Sequence, residues 1–543
     1  MYQVRALAQL PFLIAVTLLG AGCSWRGYGH DTTHFSRQPS EYSLNASSVA
    51  TLHVDWDFAV AGTSFTASPS AYGNTVYIGG LNGIFYAVYA SGASKGTLRW
   101  QYPPAVAPIP PDACGTTTAP LLIASGSGNP SGPGIASSAA IVDNVAGHGA
   151  AVIFGAPDPN SNSGDGRLWA LDAMTGQCIW KSDVIAPTSG TSKIGYSSPA
   201  IAHGRAYVGV SAKRPDAPIT IGRVFAINLT TGALDTSFNF ASSGPPAGGG
   251  VWSSPAVTPS GNIVVTTGNS CHASDPDCTG SIPTTDYTLS MLKLDWTNGN
   301  VLWQLQPVDV HWDFDPDWAA SPIVGQVSCG SLAISVQKDG YVHAADVKTG
   351  GPFSNPACSY PGHSLECPRW SFPTVPSLPF QDDGHGDTRF IRPGALDGDH
   401  LFITAGGLNL HELAPTDPGR ILLNRMHSLN VCSSDTDRIR WIVDLDSTTG
   451  APSVANGVVY VGTSTGSFYA IADTDVLPPS SFVCSYPNVA VGFTCSSAGF
   501  RNVPVPAIVK RLTLSGSIPG IPAISNGLVF VATTNGHLYG LAP

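Results

Sequence analysis

Residues 311–318 read HWDFDPDW. Asp313, Asp315 and Asp317 alternate between Trp312 and Trp318, in a chain of which only 11% is charged. Alternating carboxylates can hold a hard cation through oxygen, or one of them can take a proton from a bound hydroxyl. A structural calcium loop begins the same way, but it needs Gly at its sixth position and Glu at its twelfth. Trp318 and Val324 stand there. Three more stretches set chemistry-bearing residues beside turns. GGGVWSSP (248–255) puts Trp252 after three glycines, TTGN (266–269) ends in Asn269, and QKDGYVHAAD (337–346) places Lys338 at a hairpin turn. An indole offers a flat face to a flat ring, an amide oxygen is a neutral hard ligand, and an ammonium stabilises developing negative charge. Each residue alone is equally at home as a core Trp, a turn Asn or an exposed turn Lys.

Repeats must position these residues. SPSAYGNTVYIGG (68–80), SSPAIAHGRAYVGV (197–210), SSPAVTPSGNIVVTTG (253–268), GAPSVANGVVYVGTSTG (450–466) and GIPAISNGLVFVATTNG (520–536) are one motif: Pro, an apolar stretch, a turn, then a β-rich run. Looser copies at 137–156, 320–340 and 392–407 bring the count to eight. A second strand–turn–strand element follows several copies, as in LWALDAMTGQCIW (168–180). Four strands per unit, repeated eight times, predict an all-β fold: an eight-bladed β-propeller of four-stranded antiparallel blades. Trp100, Trp180 and Trp303 hold one place in their units, where packing between blades is their expected role. LHVDWDF (52–58) has strand character, and the chain ends before a last outer strand, so the early strand is expected to complete the final blade. Irregular inserts at 104–135, 270–288, 352–391 and 473–500 would sit around the central funnel.

Composition agrees. The 60 Gly and 45 Pro indicate many turns. A net charge of −11 without a basic run argues against nucleic acid as a partner. Arg5, LPFLIAVTLL (10–19) and GAGC ending at Cys23 read as an export signal over 1–23, followed by a single propeller domain over 24–543. Cys23 sits where a bacterial lipoprotein is lipidated, although Gly20 replaces the usual Leu three residues earlier. A free periplasmic or secreted protein and an outer-membrane lipoprotein, attached only through Cys23, both stay open. The ten other cysteines fit an oxidising compartment, and Cys271–Cys278, Cys358–Cys367 and Cys484–Cys495 are close enough in sequence to pair. No Cys-x-x-Cys-His occurs, so covalent haem is not encoded.

The opening segment WRGYGHDTTHFSRQPSEYSLNASSVATLHVDWDF (25–58), the repeats, and GGGVWSSPAV, TTGN, HWDFD and QKDGYVHAADVKTG come in an order that resembles the pyrroloquinoline-quinone (PQQ) dependent alcohol dehydrogenases. The similarity spans roughly residues 25–543 and is nearest the branch with polyvinyl-alcohol dehydrogenases. It implies an eight-bladed propeller binding PQQ and one metal ion near its axis, with an alcohol as substrate and a separate electron acceptor such as a cytochrome c. By the same resemblance Trp252 is the floor under PQQ, Lys338 donates to the quinone oxygens, Asn269 is a metal ligand and Asp313 is the catalytic base. Asp315 matches an extra carboxylate of lanthanide-using members, so Ca²⁺ and a lanthanide are both open. The family's Glu ligand from an earlier blade is missing from 155–172, where Asp158 is the first replacement and Asp165 the second. Gly250 replaces a polar residue frequent two positions before the floor Trp. The short repeats alone also occur in non-catalytic propellers, so a binding or assembly scaffold is the competing reading.

Overall fold

The computed structural model describes residues 23–108, 111–115, 118–122, 134–160, 165–186, 192–193, 196–212, 221–242, 248–270, 287–307, 317–318, 320–338, 342–350, 370–372, 392–405, 425–433, 439–447, 450–474 and 506–543. Eight antiparallel sheets form a ring of blades, seven of them four-stranded and the third carrying an added short strand, Ser192–Lys193. The first strands begin at Ser70, Ala140, Ala200, Ala256, Ile323, Ala395, Ser453 and Ala523, one inside each of the eight expected repeats. Their hairpin turns follow from local chemistry. His203–Gly204, Asn456–Gly457 and Asn526–Gly527 all have positive φ at both positions, as a two-residue turn between right-twisted strands requires.

The eighth blade is closed by the early strand. His53–Ala59 pairs antiparallel with His537–Ala542, the last strand of the chain. Apolar clusters fill the boundaries between blades; Phe85 of the first blade stacks on Phe154 of the second at 4.1 Å. The expected packing role of the tryptophans holds. Trp100, Trp180 and Trp303 each donate their indole N–H to a carbonyl of the next blade: Ala173, Leu229 and Val347, at 2.8–3.1 Å. Each ring covers a turn glycine of that blade, where a Cβ at Gly176, Gly232 or Gly350 would come within 2.9 Å of the indole.

Two rings of contacts organise the axis. Ser68, Ser138, Ser198, Ser254 and Ser321 stand immediately before the first strands of the first five blades. Each serine oxygen accepts a backbone N–H from the preceding blade at 2.9–3.0 Å, the series starting from Ile521 of the eighth. Below them the N-terminal segment winds round the axis. Trp25, Arg26, Thr32, Thr33, Phe35 and Ser36 bond in turn to Ala71, Ile141, Val257, Val324, Leu396 and Val454, in the first, second, fourth, fifth, sixth and seventh blades. Gln38 completes the circuit at the Ile524 carbonyl of the eighth.

Two disulfides lie among the described residues, Cys114–Cys178 and Cys329–Cys432. The three pairs expected from short spacing fall outside those residues.

Candidate functional site

In each blade, the loop before the first strand and the end of the second strand reach the same end of the sheet. That topology assembles the site from the fourth and fifth blades. Trp252 precedes the strand Ala256–Val257, and Asn269 follows the strand Ile263–Thr266. Asp317 and Trp318 precede Ile323–Val327, and Lys338 follows Gly330–Val336.

The glycines before Trp252 allow a tight backbone nest. Gly249 has φ +72, and a Cβ there would lie 2.6 Å from that of Ser242. Its N–H donates to the Asn269 carbonyl at 2.7 Å, tying the Trp252 loop to the TTGN turn. Gly268 donates to the Gly250 carbonyl at 3.0 Å. A Cβ at Gly268 would lie 2.7 Å from the Asp317 carboxylate and 3.4 Å from the Trp252 indole nitrogen. Glycine at 268 therefore lets a carboxylate and an indole meet across a backbone.

Lys338 is 6% exposed and Asp317 fully buried. The ammonium pairs with Asp317 Oδ2 at 3.1 Å, and the Lys338 N–H donates to the Asp317 carbonyl at 3.0 Å. The same ammonium lies 5.7 Å from the centre of the Trp252 ring, within cation–π range. Trp318, also fully buried, donates to the Leu289 carbonyl at 2.8 Å and fixes the loop that carries Asp317. The result is a charged group held above a flat aromatic face, with its counter-ion sealed beneath.

Of the sequence-derived candidates, Trp252, Asn269 and Lys338 come together. Asp313 and Asp315 lie outside the described residues. Asp158 ends the second strand of the second blade, opposite Asp165 in the hairpin register. Its buried carboxylate already meets Lys181 at 2.9 Å and Arg167 at 3.1 Å. Asp317, the third carboxylate of the HWDFDPDW stretch, is the partner that holds Lys338. Spacing gave no signal for the pair; the blade's topology brings a residue before its first strand and one after its second to one face.

The family model PQQ_2, described as outer membrane protein assembly factor BamB, matches residues 41–353. The chain belongs to that family. No curated protein matches the chain in sequence. Among solved structures, the quinohemoprotein alcohol dehydrogenase ADHIIG from Pseudomonas putida HK5 is 13% identical with a TM-score of 0.67, over 96% of this chain and 80% of that one. The quinohemoprotein alcohol dehydrogenase from Comamonas testosteroni is 15% identical with a TM-score of 0.65, over 97% and 81%. A europium-containing methanol dehydrogenase is 14% identical with a TM-score of 0.65, over 97% and 99%. At these identities the likeness is one of fold, and it agrees with the eight-bladed ring.

Proposed function

We propose that this family member is an exported quinoprotein that oxidises alcohols, with PQQ and one metal ion as cofactors. The observation that carries the reading is the Lys338 ammonium held 5.7 Å over the half-buried Trp252 face by buried Asp317. These residues fit a flat, anionic quinone: the indole supplies a floor and the ammonium a donor to its oxygens. When bound, PQQ supplies a two-electron acceptor at a polarised carbonyl. Lys338 would bind and orient it, and Asp317 would keep the ammonium charged and aimed. Asp313 would hold the proton released from the substrate hydroxyl. Among the described residues there is no group of three or more His, Cys, Asp and Glu. Asn269 would be one oxygen donor, and Asp313 and Asp315 would complete a set for Ca²⁺ or a lanthanide. Asp158 would join only by giving up its two cations. Secondary or polymeric alcohols, as in the polyvinyl-alcohol branch, are the proposed substrates. Electrons would leave to a separate carrier such as a cytochrome c. The proposed location is the periplasm, free or anchored at Cys23.

The family's description favours a second reading, a scaffold in outer-membrane protein assembly. A scaffold has no evident use for a sealed ion pair aimed at an indole face. Reconstitution with PQQ and either Ca²⁺ or La³⁺ separates the two readings. Quenching of Trp fluorescence by PQQ, lost in Lys338→Met, together with dye-linked oxidation of an alcohol panel, is the expected result. No PQQ binding with either metal would favour the scaffold.

A further inference from the structure

We propose that the axial cavity between Trp252 and the N-terminal turn binds a small organic carboxylate, with Arg392 as the cation that recognises it. The cavity measures about 540 Å³. Its wall includes the ring serines of the first five blades, Ser68, Ser138, Ser198, Ser254 and Ser321, and Arg392 of the sixth. Each of these serine oxygens accepts a neighbouring N–H and still carries a hydroxyl proton, that of Ser321 shared with Tyr28. The sixth copy of the position is Pro393, and Arg392 beside it brings a guanidinium to the wall. Its Nε is sealed from solvent without a hydrogen-bond partner, and no carboxylate pairs with Arg392 among the described residues. Burial pulls its pKa down, and nearby Tyr28, also in the cavity wall, works the other way. Thr66 adds a second sealed hydroxyl oxygen without a partner on the same wall.

A guanidinium with a sealed N–H and no counter-ion among the described residues is costly, and a ring of hydroxyl donors does nothing to neutralise it. Both features are satisfied together by an oxyanion. A planar guanidinium matches a carboxylate edge to edge. The remaining wall, with Leu81, Ile521 and the Trp252 ring, is apolar and suits an acid with a hydrocarbon body. Trp252 is the one described residue that the cavity shares with the Lys338 cluster, so the inference stands independently of the quinone reading.

Thermal melts of the full chain without PQQ, in a chloride-poor buffer, test it with benzoate as probe and neutral benzamide as control. Benzoate should raise the melting midpoint of the wild type and of Lys338→Met, and benzamide should not. Arg392→Met should melt higher than wild type without probe, because an unpaired charge has gone, and should ignore benzoate. If that variant does not fold, Arg392→Lys carries the test: calorimetric benzoate affinity should fall about tenfold as the planar fork is lost. An unchanged response in either variant, or no response in the wild type, overturns the proposal.

Discussion

Lys338 and Asp317 compensate one another's charge in the interior. Removing one side of a buried pair leaves an uncompensated charge, at a cost of about 3–5 kcal/mol, whereas replacing both by apolar groups is often neutral. Lys338→Met should therefore lower stability in urea unfolding by about that amount, and adding Asp317→Leu should recover most of it. The double variant should still fail to quench with PQQ. Full recovery of quenching would mean that Lys338 has only a structural task. The sequence made Trp252, Asn269 and Lys338 legible because each sits in a distinctive motif. The Asp317–Lys338 contact was not legible from spacing, since 21 residues separate the two and only the blade's geometry brings them together. Arg392 hid in a similar way. Its significance appears only once the fold sets it in the cavity wall beside the serine ring.

Among the elements, the hairpins were readable because their turns carry Asn-Gly or His-Gly where positive φ is needed. The N-terminal circuit was not, because its hydrogen bonds follow the axis rather than any period along the chain. His34 is its most pH-sensitive member. It is 3% exposed, and its Nδ1 lies 2.9 Å from the Pro322 carbonyl. Burial lowers its pKa from 6.5 to about 4, against the Pro322 carbonyl and the Asp31 charge, which favour the proton. Between those two pH values the unfolded chain takes up a proton that the folded chain refuses. The contribution is therefore fully present above pH 6.5 and declines as pH falls toward 4, by about 3 kcal/mol in total. Amide protection factors in residues 25–38, taken relative to the intrinsic rate at each pH, should fall over that window in the wild type. In His34→Gln the slope should be shallower; an identical slope would assign the effect to other groups.

The whole molecule depends on ring closure, which the sequence foretold through an unpaired early strand and a truncated last repeat. Trp56 is the hinge of that closure. It sits on the closing strand, donates to the Ala90 carbonyl of the first blade at 3.0 Å, and covers the turn at Gly96. Its partner across the seam is Gly540, where a Cβ would lie 2.1 Å from the indole. Gly540→Ala must push Trp56 aside, and so strains the seam within the eighth blade and its lock to the first. Overpacking of this kind costs about 1–3 kcal/mol. Gly149→Ala is the control, since a Cβ there meets nothing within 4 Å. Exchange in Gly540→Ala should accelerate first in 53–59, 90–96 and 537–542, while the third to sixth blades stay protected. Equal acceleration in every blade would mean that the ring opens as one unit and that the two-strand closure is no weaker than the covalently continuous blades.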